Sequence, residues 1–528
     1  MNKLQVSLYD TTLRDGTQGT GISFSLLDKI RVAEKLDSFG IHYIEGGWPG
    51  SNPKDAEFFQ EAAKRTWKHA KIAAFGSTRR GNLCVEDDPQ VRALLDSLAP
   101  VVTLVGKSWI LHVREVLNVA PEENLSMIRD TVAYLKAHGR EVFYDAEHFF
   151  DGYKEDPDYA LGTLRAAVEG GVDLCVLCDT NGGTLPDEVE RITRDVIARI
   201  GHPVGIHPHN DSGVAVANAL AAVRAGAVQV QGTINGYGER VGNCNLTTLI
   251  PNLQLKMGLS LVPDLARLRE VSLFVDELAN SLHDIRAPYV GATAFAHKGG
   301  IHVNAVQKLA RSYEHIQPGQ VGNTQNILVS ELSGQSNILL KAESLGIRLQ
   351  KDSPEVLQIL QEIKRREALG YEFEAADGSL DLLIRRVFHH HQPLFQLLEY
   401  HCTFRRSGAA NPAHTTCEAT VKLLVGGERV YTVDEGDGPV NALDAALRKS
   451  LRPYYPQIDG IQLSDYKVRI LDSRRGTAAR TRVLVASTDG KESWGTVGVS
   501  NNVIEASWLA LVDAIEFKLL AAAGAGEK

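Results

Sequence analysis

Two histidines separated by one residue are the side chains of this sequence that point most directly to chemistry. His207 and His209 stand in the segment H-P-H-N-D, directly after an apolar run. At the end of a β-strand, residues i and i+2 project to the same side, so both imidazoles would face one point. Two converging imidazoles suit a divalent transition metal. An isolated pair with this spacing more often forms hydrogen bonds in a core, so the metal interpretation depends on further ligands.

Asp15 and Asn243 are the expected further ligands. Asp15 follows the first predicted strand and Asn243 follows the eighth, and these two strands are neighbours in a closed barrel. Two histidines, a carboxylate and an amide, with positions left open for water or substrate, suit Mn²⁺, Zn²⁺, Fe²⁺ or Mg²⁺. Arg14 adjoins Asp15, and its guanidinium could stabilise negative charge on a polarised carbonyl oxygen. The alternative for Arg14 is a salt bridge to a neighbouring carboxylate.

Acid–base candidates occupy two further places. Glu147 ends the fifth predicted strand and Asp145 lies on the same side of it, so either could act as an acid, a base or an orienting group. His297 and His302, in a polar insert of a helical region, are candidate partner histidines. The residues alone do not choose between these two histidines.

Two other sequence patterns, a glycine-rich segment and a pair of cysteines, are not assigned a catalytic role. The glycine-rich segment G-Y-G-E-R-V-G-N, residues 236–243, lacks the G-x-G-x-x-G spacing and follows the last barrel strand, which argues against dinucleotide binding. Cys175 and Cys178 have C-x-x-C spacing. Residues three apart in a strand point to opposite faces, so these thiols cannot jointly bind a metal.

The elements that must position these residues form a repeating pattern. A short β-branched run, a polar turn and an amphipathic stretch recur, with runs near residues 6, 43, 72, 102, 142, 174, 204 and 228. Alternating strands and helices imply a parallel sheet, and eight such units predict an α/β fold of the (β/α)₈ TIM-barrel type. Nearly every run ends in a polar or glycine cluster, and the active sites of such barrels lie at the carboxyl ends of the strands.

The rest of the chain predicts helical subdomains and a duplicated α+β domain. Thr432-Val433, a turn and a helix recur 64 residues later as Thr496-Val497, a turn and a second helix. Two β-β-β-α halves of this kind often build a dimer interface or an effector site. The predicted domains are 1–262, a TIM-barrel catalytic domain; 263–395, helical subdomains and connector; and 396–528, a C-terminal regulatory and dimerisation domain.

Composition is that of an ordinary globular protein. Hydrophobic residues make up 44% and charged residues 23% of the chain. The 56 Lys and Arg against 65 Asp and Glu give a net charge of −9 with no basic stripe, which argues against a nucleic-acid or anionic-membrane partner. No apolar run reaches the ~18 residues of a membrane span. The start of the chain shows no signal-peptide pattern, so we expect a cytoplasmic protein.

The segments D-T-T-L-R-D-G-T-Q, H-P-H-N-D and G-Y-G-E-R-V-G-N carry a resemblance to a known family. Over essentially its whole length the chain resembles the 2-isopropylmalate, homocitrate and citramalate synthases, which are divalent-metal (β/α)₈ enzymes that condense acetyl-CoA with a 2-oxo acid. The segments E-G-G-W-P-G-S-N-P-K-D and F-Y-D-A-E-H-F-F-D-G-Y are most similar to the citramalate-forming branch.

The resemblance implies roles for individual residues. The implied metal ligands are Asp15, His207, His209 and Asn243. Arg14 would polarise the carbonyl of the 2-oxo acid. Glu147 and His302 match the acid–base pair, with Tyr313 assisting, and which of the pair is the base stays open. Thr180 would contact the substrate carboxylate, and Asp145 and Asn304 are expected in the substrate pocket.

The resemblance also implies the reaction and its regulation. The expected reaction is condensation of acetyl-CoA with pyruvate and hydrolysis to (R)-citramalate and CoA, the first step of the pyruvate route to isoleucine. The expected cofactor is Mn²⁺, Zn²⁺ or Mg²⁺, the expected assembly is a homodimer, and isoleucine is the expected effector at the C-terminal domain. The alternatives are a synthase that uses 2-oxoisovalerate in leucine biosynthesis, a lyase on the same barrel, and a non-catalytic metal or amino-acid sensor.

Overall fold

The computed structural model describes residues 5–327, 329, 335–344, 347, 349–388, 393–407 and 414–524. Its contacts divide the chain into two compact units. The first is Met1–Phe295 with Ile316–Thr324, and the second is Ala296–His315 with Gln325–Lys528. Residues 263–295 thus belong to the same unit as the barrel, and the connector helices belong to the same unit as the C-terminal sheets. The division at residues 262 and 395 stays a prediction.

Eight parallel strands close into a barrel in the first unit, which confirms the predicted fold class. The strands are β1 (Ser7–Asp10), β2 (Tyr43–Gly47), β3 (Lys71–Ser77), β4 (Val101–Lys107), β5 (Glu141–Glu147), β6 (Leu174–Asp179), β7 (Val204–Pro208) and β8 (Gln229–Gly232). Strand β1 pairs with β2 on one side and with β8 on the other, where Leu8 lies opposite Val230. Most strand residues are buried, because helices cover the outside and side chains fill the inside.

The helices of the first unit connect these strands and continue past the last one. Among the described residues they are α1 (Leu26–Phe39), α2 (Pro53–Ala62), α3 (Pro89–Asp96), α4 (Ile110–His112), α5 (Pro121–Ala137), α6 (Phe149–Glu155), α7 (Pro157–Glu169), α8 (Pro186–Ile200), α9 (Ala215–Ala225), α10 (Leu246–Pro251) and α11 (Leu268–Leu278). Helix α1 begins with a capping box between Ser25 and Asp28 and ends at Gly40, whose φ is 104°. Asn52 and Asp88 cap α2 and α3, each followed by a proline.

The end of β2 is packed too closely for side chains at its two glycines. A Cβ on Gly46 would lie 2.1 Å from Phe58, and a Cβ on Gly47, whose φ is +144°, would lie 2.3 Å from the carboxylate of Asp55. The buried ammonium of Lys29 pairs with Asp55 and donates a hydrogen bond of 3.0 Å to the carbonyl of Gly46. These contacts fix the end of β2 at the mouth of the barrel.

Cys175 and Cys178 lie on β6 and face opposite sides of the barrel wall. Cys175 packs in the large core cluster between strands and helices, whereas Cys178 packs in a smaller cluster with Tyr9 and Phe143. Both thiols are free. The prediction that they cannot share one metal is confirmed.

The second unit consists of short helices followed by two antiparallel sheets. Its strands are β9 (Ala296–His297), β10 (Asn326–Ile327), β11 (Phe395–Ser407), β12 (His414–Val425), β13 (Glu428–Gly436), β14 (Gln462–Ile470), β15 (Thr481–Thr488) and β16 (Ser493–Ser500). Its helices are α12 (Gly300–Lys308), α13 (Gln335–Ser344), α14 (Pro354–Ala368), α15 (Asp377–Val387), α16 (Pro439–Leu451) and α17 (Val503–Gly524). The sheet orders are β11-β12-β13 and β14-β15-β16. Among the described residues, no helix is both long and apolar enough to cross a membrane.

The internal repeat of the sequence is reproduced at the level of single hydrogen bonds. Thr432 on β13 donates from its hydroxyl to the carbonyl of Ala446 on α16 at 2.8 Å. Thr496 on β16 donates in the same way to Ala510 on α17, also at 2.8 Å. Each half of the domain therefore ties its third strand to its own helix by the same contact, as expected for a duplicated β-β-β-α unit.

Candidate active site

The four predicted metal ligands meet at the mouth of the barrel. Asp15, His207 and His209 each offer one ligand atom, and these atoms lie within 4.8 Å of one another. His207 Nε2 is 3.1 Å from Asp15 Oδ2. The amide nitrogen of Asn243 is 2.8 Å from the same carboxylate oxygen and 3.1 Å from His207 Nε2. All four side chains are buried.

Local pairing at the ends of β7 and β8 brings Asn243 to this place. The segment after β8 folds back, so that His209 and Asn243 form an antiparallel bridge. The amide of Cys244 donates to the carbonyl of Pro208 at 3.0 Å. Gly238, at a φ of +154°, leaves room beside Asn243, since a Cβ there would lie 1.9 Å from Asn243 Oδ1. The glycine-rich loop thus positions Asn243 beside the two histidines.

The donor set and its charges fit a divalent cation. Asn243 Oδ1 is buried without a hydrogen-bond partner, and rotation of the amide by half a turn would bring this oxygen among the other ligand atoms. Burial and the nearby His207 lower the pKa of His209 to about 4, so its imidazole is neutral near pH 7. Burial alone would raise the pKa of Asp15, but Arg14 and His207 lower it well below its usual range. A neutral imidazole and an ionised carboxylate are the forms that bind metals. Burial disfavours the charged form of His207, but Asp15 outweighs this effect and raises the pKa of His207, so a bound cation would displace that proton.

Arg14 is held beside this cluster by three contacts. Its Nε donates to the carboxylate of Glu45, its Nη2 is 3.6 Å from Asp15 Oδ2, and its Cζ lies 3.7 Å from the centroid of the Phe75 ring. Burial disfavours the charge, but the Glu45 and Asp15 carboxylates outweigh this effect and raise the pKa of Arg14 above its usual value. The salt bridge expected as the alternative role of Arg14 is present, and stabilisation of charge on a substrate oxygen stays a prediction.

Glu45 is a residue that the sequence analysis did not single out. Its side chain is fully buried at the end of β2. Besides Arg14 it accepts a hydrogen bond of 2.8 Å from the hydroxyl of Tyr9. The Tyr9 oxygen is in turn 2.6 Å from the hydroxyl of Thr103, which donates because the Tyr9 proton is committed to Glu45. The segment E-G-G-W marked this strand end as polar, but nothing in its spacing indicated a partner for Arg14.

A cavity of ≈ 560 Å³ opens onto the ligand cluster in the first unit. Predicted site residues that line it are Arg14, Asp15, Asp145, Glu147, Thr180, His207 and His209. Aromatic and aliphatic groups, including Trp48, Phe75 and Val105, cover other parts of its wall. Burial raises the pKa of Asp145 to about 7. The cavity therefore combines cationic, acidic and apolar surfaces around the proposed metal position.

Glu147 is fixed at the edge of this cavity. Its carboxylate pairs with the ammonium of Lys107, and its carbonyl accepts a hydrogen bond of 2.6 Å from the hydroxyl of Ser108. The next residue, His148, has a φ of 56° and donates its amide to Thr180 Oγ1 at 2.8 Å. Contacts on both sides of Glu147 thus set the direction of its side chain.

His302, Asn304 and Tyr313 belong to the second unit. His302 and Asn304 are exposed on α12, and the ring of His302 is stacked on that of Tyr313 with 4.4 Å between centroids. The alternative histidine, His297, lies 3.3 Å from the buried carboxylate of Glu314. The structure therefore brings His302 and Tyr313 together and gives His297 a partner of its own.

Comparison with known families defines the class of protein. A family described as HMGL-like matches residues 5–275, and one described as a homocitrate synthase post-HMGL domain-like family matches residues 289–369. A third, the LeuA allosteric (dimerisation) domain, matches residues 374–519. The closed barrel with the ligand cluster at its mouth is thus an HMGL-like domain. The C-terminal part of the chain is an allosteric domain of the LeuA type.

Relatives that match nearly the whole chain identify the family within this class. The (R)-citramalate synthase of Aquifex aeolicus is 55% identical over 98% of this chain and 98% of its own length. That of Geobacter sulfurreducens is 52% identical over 97% of each chain. A probable 2-isopropylmalate synthase of Methanopyrus kandleri is 30% identical over 96% of this chain and 97% of its own. The chain belongs to the (R)-citramalate synthase family.

Proposed function

We propose that this chain condenses acetyl-CoA with pyruvate and hydrolyses the condensed thioester, releasing (R)-citramalate and CoA. The observation that carries the proposal is the cluster of Asp15, His207 and His209 ligand atoms beside the guanidinium of Arg14. Likeness to (R)-citramalate synthases over nearly the whole chain supports pyruvate as the 2-oxo acid. The reaction is an acyl transfer in which the acyl group becomes an alkyl group.

A divalent cation, with Mn²⁺, Zn²⁺ and Mg²⁺ as candidates, would be held by Asp15, His207, His209 and Asn243. When bound, it would polarise and orient the keto and carboxylate oxygens of the 2-oxo acid. The guanidinium of Arg14 lies beside the ligand cluster, where it can donate to the oxygen on which negative charge develops. Thr180 accepts from the backbone with its oxygen, which leaves its hydroxyl proton for the substrate carboxylate.

The chemical step begins with loss of a proton from the methyl group of acetyl-CoA. Glu147 or His302 takes this proton, and the carbon nucleophile forms a bond to the keto carbon of pyruvate, whose oxygen becomes an alkoxide and then takes up a proton. Water next attacks the thioester carbonyl, and the CoA sulfur leaves as a thiol. Tyr313 would assist His302, against whose ring it is stacked, and Asp145 and Asn304 would contact the substrates.

We also propose that the chain forms a homodimer and that isoleucine inhibits it at the C-terminal domain. The match of residues 374–519 to the LeuA allosteric (dimerisation) domain supports a dimer and control by an effector. The route to isoleucine, of which this reaction would be the first step, suggests isoleucine as that effector. Two equivalent β-β-β-α halves offer paired surfaces for a second chain or an effector. Thioester hydrolysis makes the reaction effectively irreversible, which suits control by an end product. A cytoplasmic location stays a prediction.

The proposal is tested by removing the metal, restoring it, and identifying the product of the reaction. Protein treated with a chelator is expected to release no CoA thiol from acetyl-CoA and pyruvate until Mn²⁺ is restored, and chiral chromatography is expected to identify (R)-citramalate. Full CoA release by protein that elemental analysis finds free of metal would contradict the metal assignment. Mn²⁺-loaded protein that forms no citramalate would contradict the condensation.

A further inference from the structure

Gln231 on β8 contacts both a proposed metal ligand and a carboxyl group of the cavity wall. Its Oε1 lies 2.7 Å from His207 Nδ1, and its Nε2 donates to Asp145 Oδ1 at 3.3 Å. The same Nε2 lies 3.2 Å from Oε1 of Gln229. The side chain is fully buried inside the barrel. No spacing in the sequence indicated this residue, because its partners are 24 and 86 positions away.

The neighbours of Gln231 decide which way its amide faces. Asp145 Oδ1 and Gln229 Oε1 lie on one side. An amide oxygen accepts hydrogen bonds, and so does Asp145 Oδ1, whether the carboxyl group is ionised or carries its proton on Oδ2. The NH₂ group must therefore face these two oxygens, and the amide oxygen must face His207. Because that oxygen can only accept, His207 Nδ1 carries the proton of this hydrogen bond.

We propose that Gln231 is a positioning residue of the metal site, which holds His207 with its Nε2 directed at the cation. The ring nitrogen that faces Gln231 is occupied by its N–H, so Nε2 supplies the lone pair for the metal. Nε2 is also the atom 3.1 Å from Asp15 Oδ2, in the middle of the ligand cluster. Metal-binding histidines generally donate their other N–H to a neighbouring oxygen, and loss of that partner weakens metal binding.

This inference rests on the proposed function only in assuming that the site binds a divalent cation. It adds Gln231 to the site as a residue that would contact neither the metal nor a substrate. A titration of the protein with metal alone, without acetyl-CoA or pyruvate, therefore tests it independently of whether the condensation takes place.

The test is isothermal titration of the full-length, chelator-treated protein with Mn²⁺. Gln231→Leu removes the acceptor for His207 Nδ1–H, and we expect the dissociation constant for Mn²⁺ to rise ~10- to 100-fold. Gln231→Glu keeps an acceptor for His207 Nδ1–H, and its second oxygen, when protonated, donates to Asp145 as the amide does. This variant is therefore expected to restore most of the affinity that the leucine variant loses. Circular dichroism of each metal-free variant checks that the chain is folded.

Gln229→Leu is the matched control. Gln229 lies on the same strand, two residues away on the same side, and is buried to a similar degree, but its hydrogen bond leads to Gln231 and not to a metal ligand. In Gln229→Leu, Asp145 Oδ1 still accepts from the NH₂ group of Gln231 and keeps its amide oriented, so Mn²⁺ affinity is expected to stay near that of the unaltered chain. Unchanged affinity in Gln231→Leu, an equal loss in Gln229→Leu, or no recovery in a folded Gln231→Glu would each overturn the proposal.

Discussion

The guanidinium of Arg14 lies between the carboxylate of Glu45, which accepts a hydrogen bond from its Nε, and the ring of Phe75, whose centroid is 3.7 Å from its Cζ. Glu45 thus occupies the Nε position of the guanidinium, and Phe75 covers one of its faces. Its Nη2 lies 3.6 Å from Asp15 Oδ2, on the side of the ligand cluster. Arg14 is thus oriented before any substrate binds, which is the condition for efficient electrostatic stabilisation.

Arg14→Lys is expected to lower kcat by ~10²- to 10³-fold while raising the KM for pyruvate much less. Lysine keeps the charge, but its single nitrogen cannot bond Glu45 and face the cavity at once. Steady-state kinetics with pyruvate as the varied substrate measure both constants. Arg92→Lys, an exposed position on α3, serves as the control. A higher KM with an unchanged kcat would show that Arg14 binds the ground state and the transition state equally well, which would contradict this role.

Glu147→Gln is expected to slow exchange of the acetyl-CoA methyl protons with solvent deuterium, in the presence of a pyruvate analogue that cannot react. The carboxylate would be lost as a base, whereas the ligand cluster around Asp15 is unaltered. Exchange is followed by NMR, because the steady-state rate does not separate proton removal from condensation or hydrolysis. Mn²⁺ affinity is measured in parallel as the control. Exchange at the unaltered rate would remove Glu147 from this step and make His302 the base.

Much of the site could be predicted because its signals are local in sequence. The eight strands follow from short apolar runs with polar ends, and the proposed ligands Asp15, His207 and Asn243 lie at or after such ends. The duplicated domain follows from a repeat that the structure reproduces in the contacts of Thr432 and Thr496. Strand periodicity also placed two cysteines correctly on opposite faces.

Glu45 and Gln231 could not be predicted because their roles depend on the register between strands that helices separate in the sequence. Each is a polar residue within a strand, and each has a partner on the neighbouring strand. Glu45 meets Tyr9 across 36 positions of sequence, and Gln231 meets His207 across 24. The register of two neighbouring parallel strands brings each of these pairs together, so neither spacing nor composition indicates the contact.

Lys29→Met is expected to lower the free energy of unfolding by about 3–5 kcal/mol, because it leaves the Asp55 carboxylate buried without its counter-ion. The Lys29 side chain is 2% exposed and that of Asp55 is 10% exposed. Urea unfolding followed by circular dichroism measures the change. Lys64→Met removes an exposed ion pair with Glu61 and is expected to leave the unfolding curve unchanged. Equal effects of the two substitutions would contradict the role given to Lys29.

Removal of residues 396–528 is expected to abolish both the binding of isoleucine and the inhibition by it. Binding and inhibition are measured on the same preparation of the shortened chain. Catalysis is also expected to fall, because α15 loses the contacts of Ser379 and Arg386 with Asp513 on α17. Mn²⁺ binding, which depends on the first unit, is the control for folding of the shortened chain. Inhibition at the same isoleucine concentration in the shortened chain would show that the effector site lies elsewhere.

The proposed activity is tested most directly by measuring CoA release from acetyl-CoA with four 2-oxo acids at saturating Mn²⁺ and comparing their kcat/KM values. The four acids are pyruvate, 2-oxobutyrate, 2-oxoisovalerate and 2-oxoglutarate. Pyruvate is expected to give the highest kcat/KM. Because one methylene changes discrimination by ~1–3 kcal/mol, 2-oxoisovalerate is expected to be at least ~10-fold poorer. A higher value for 2-oxoisovalerate would assign the chain to 2-isopropylmalate synthesis, and no CoA release with any of the four acids would contradict an enzymatic role.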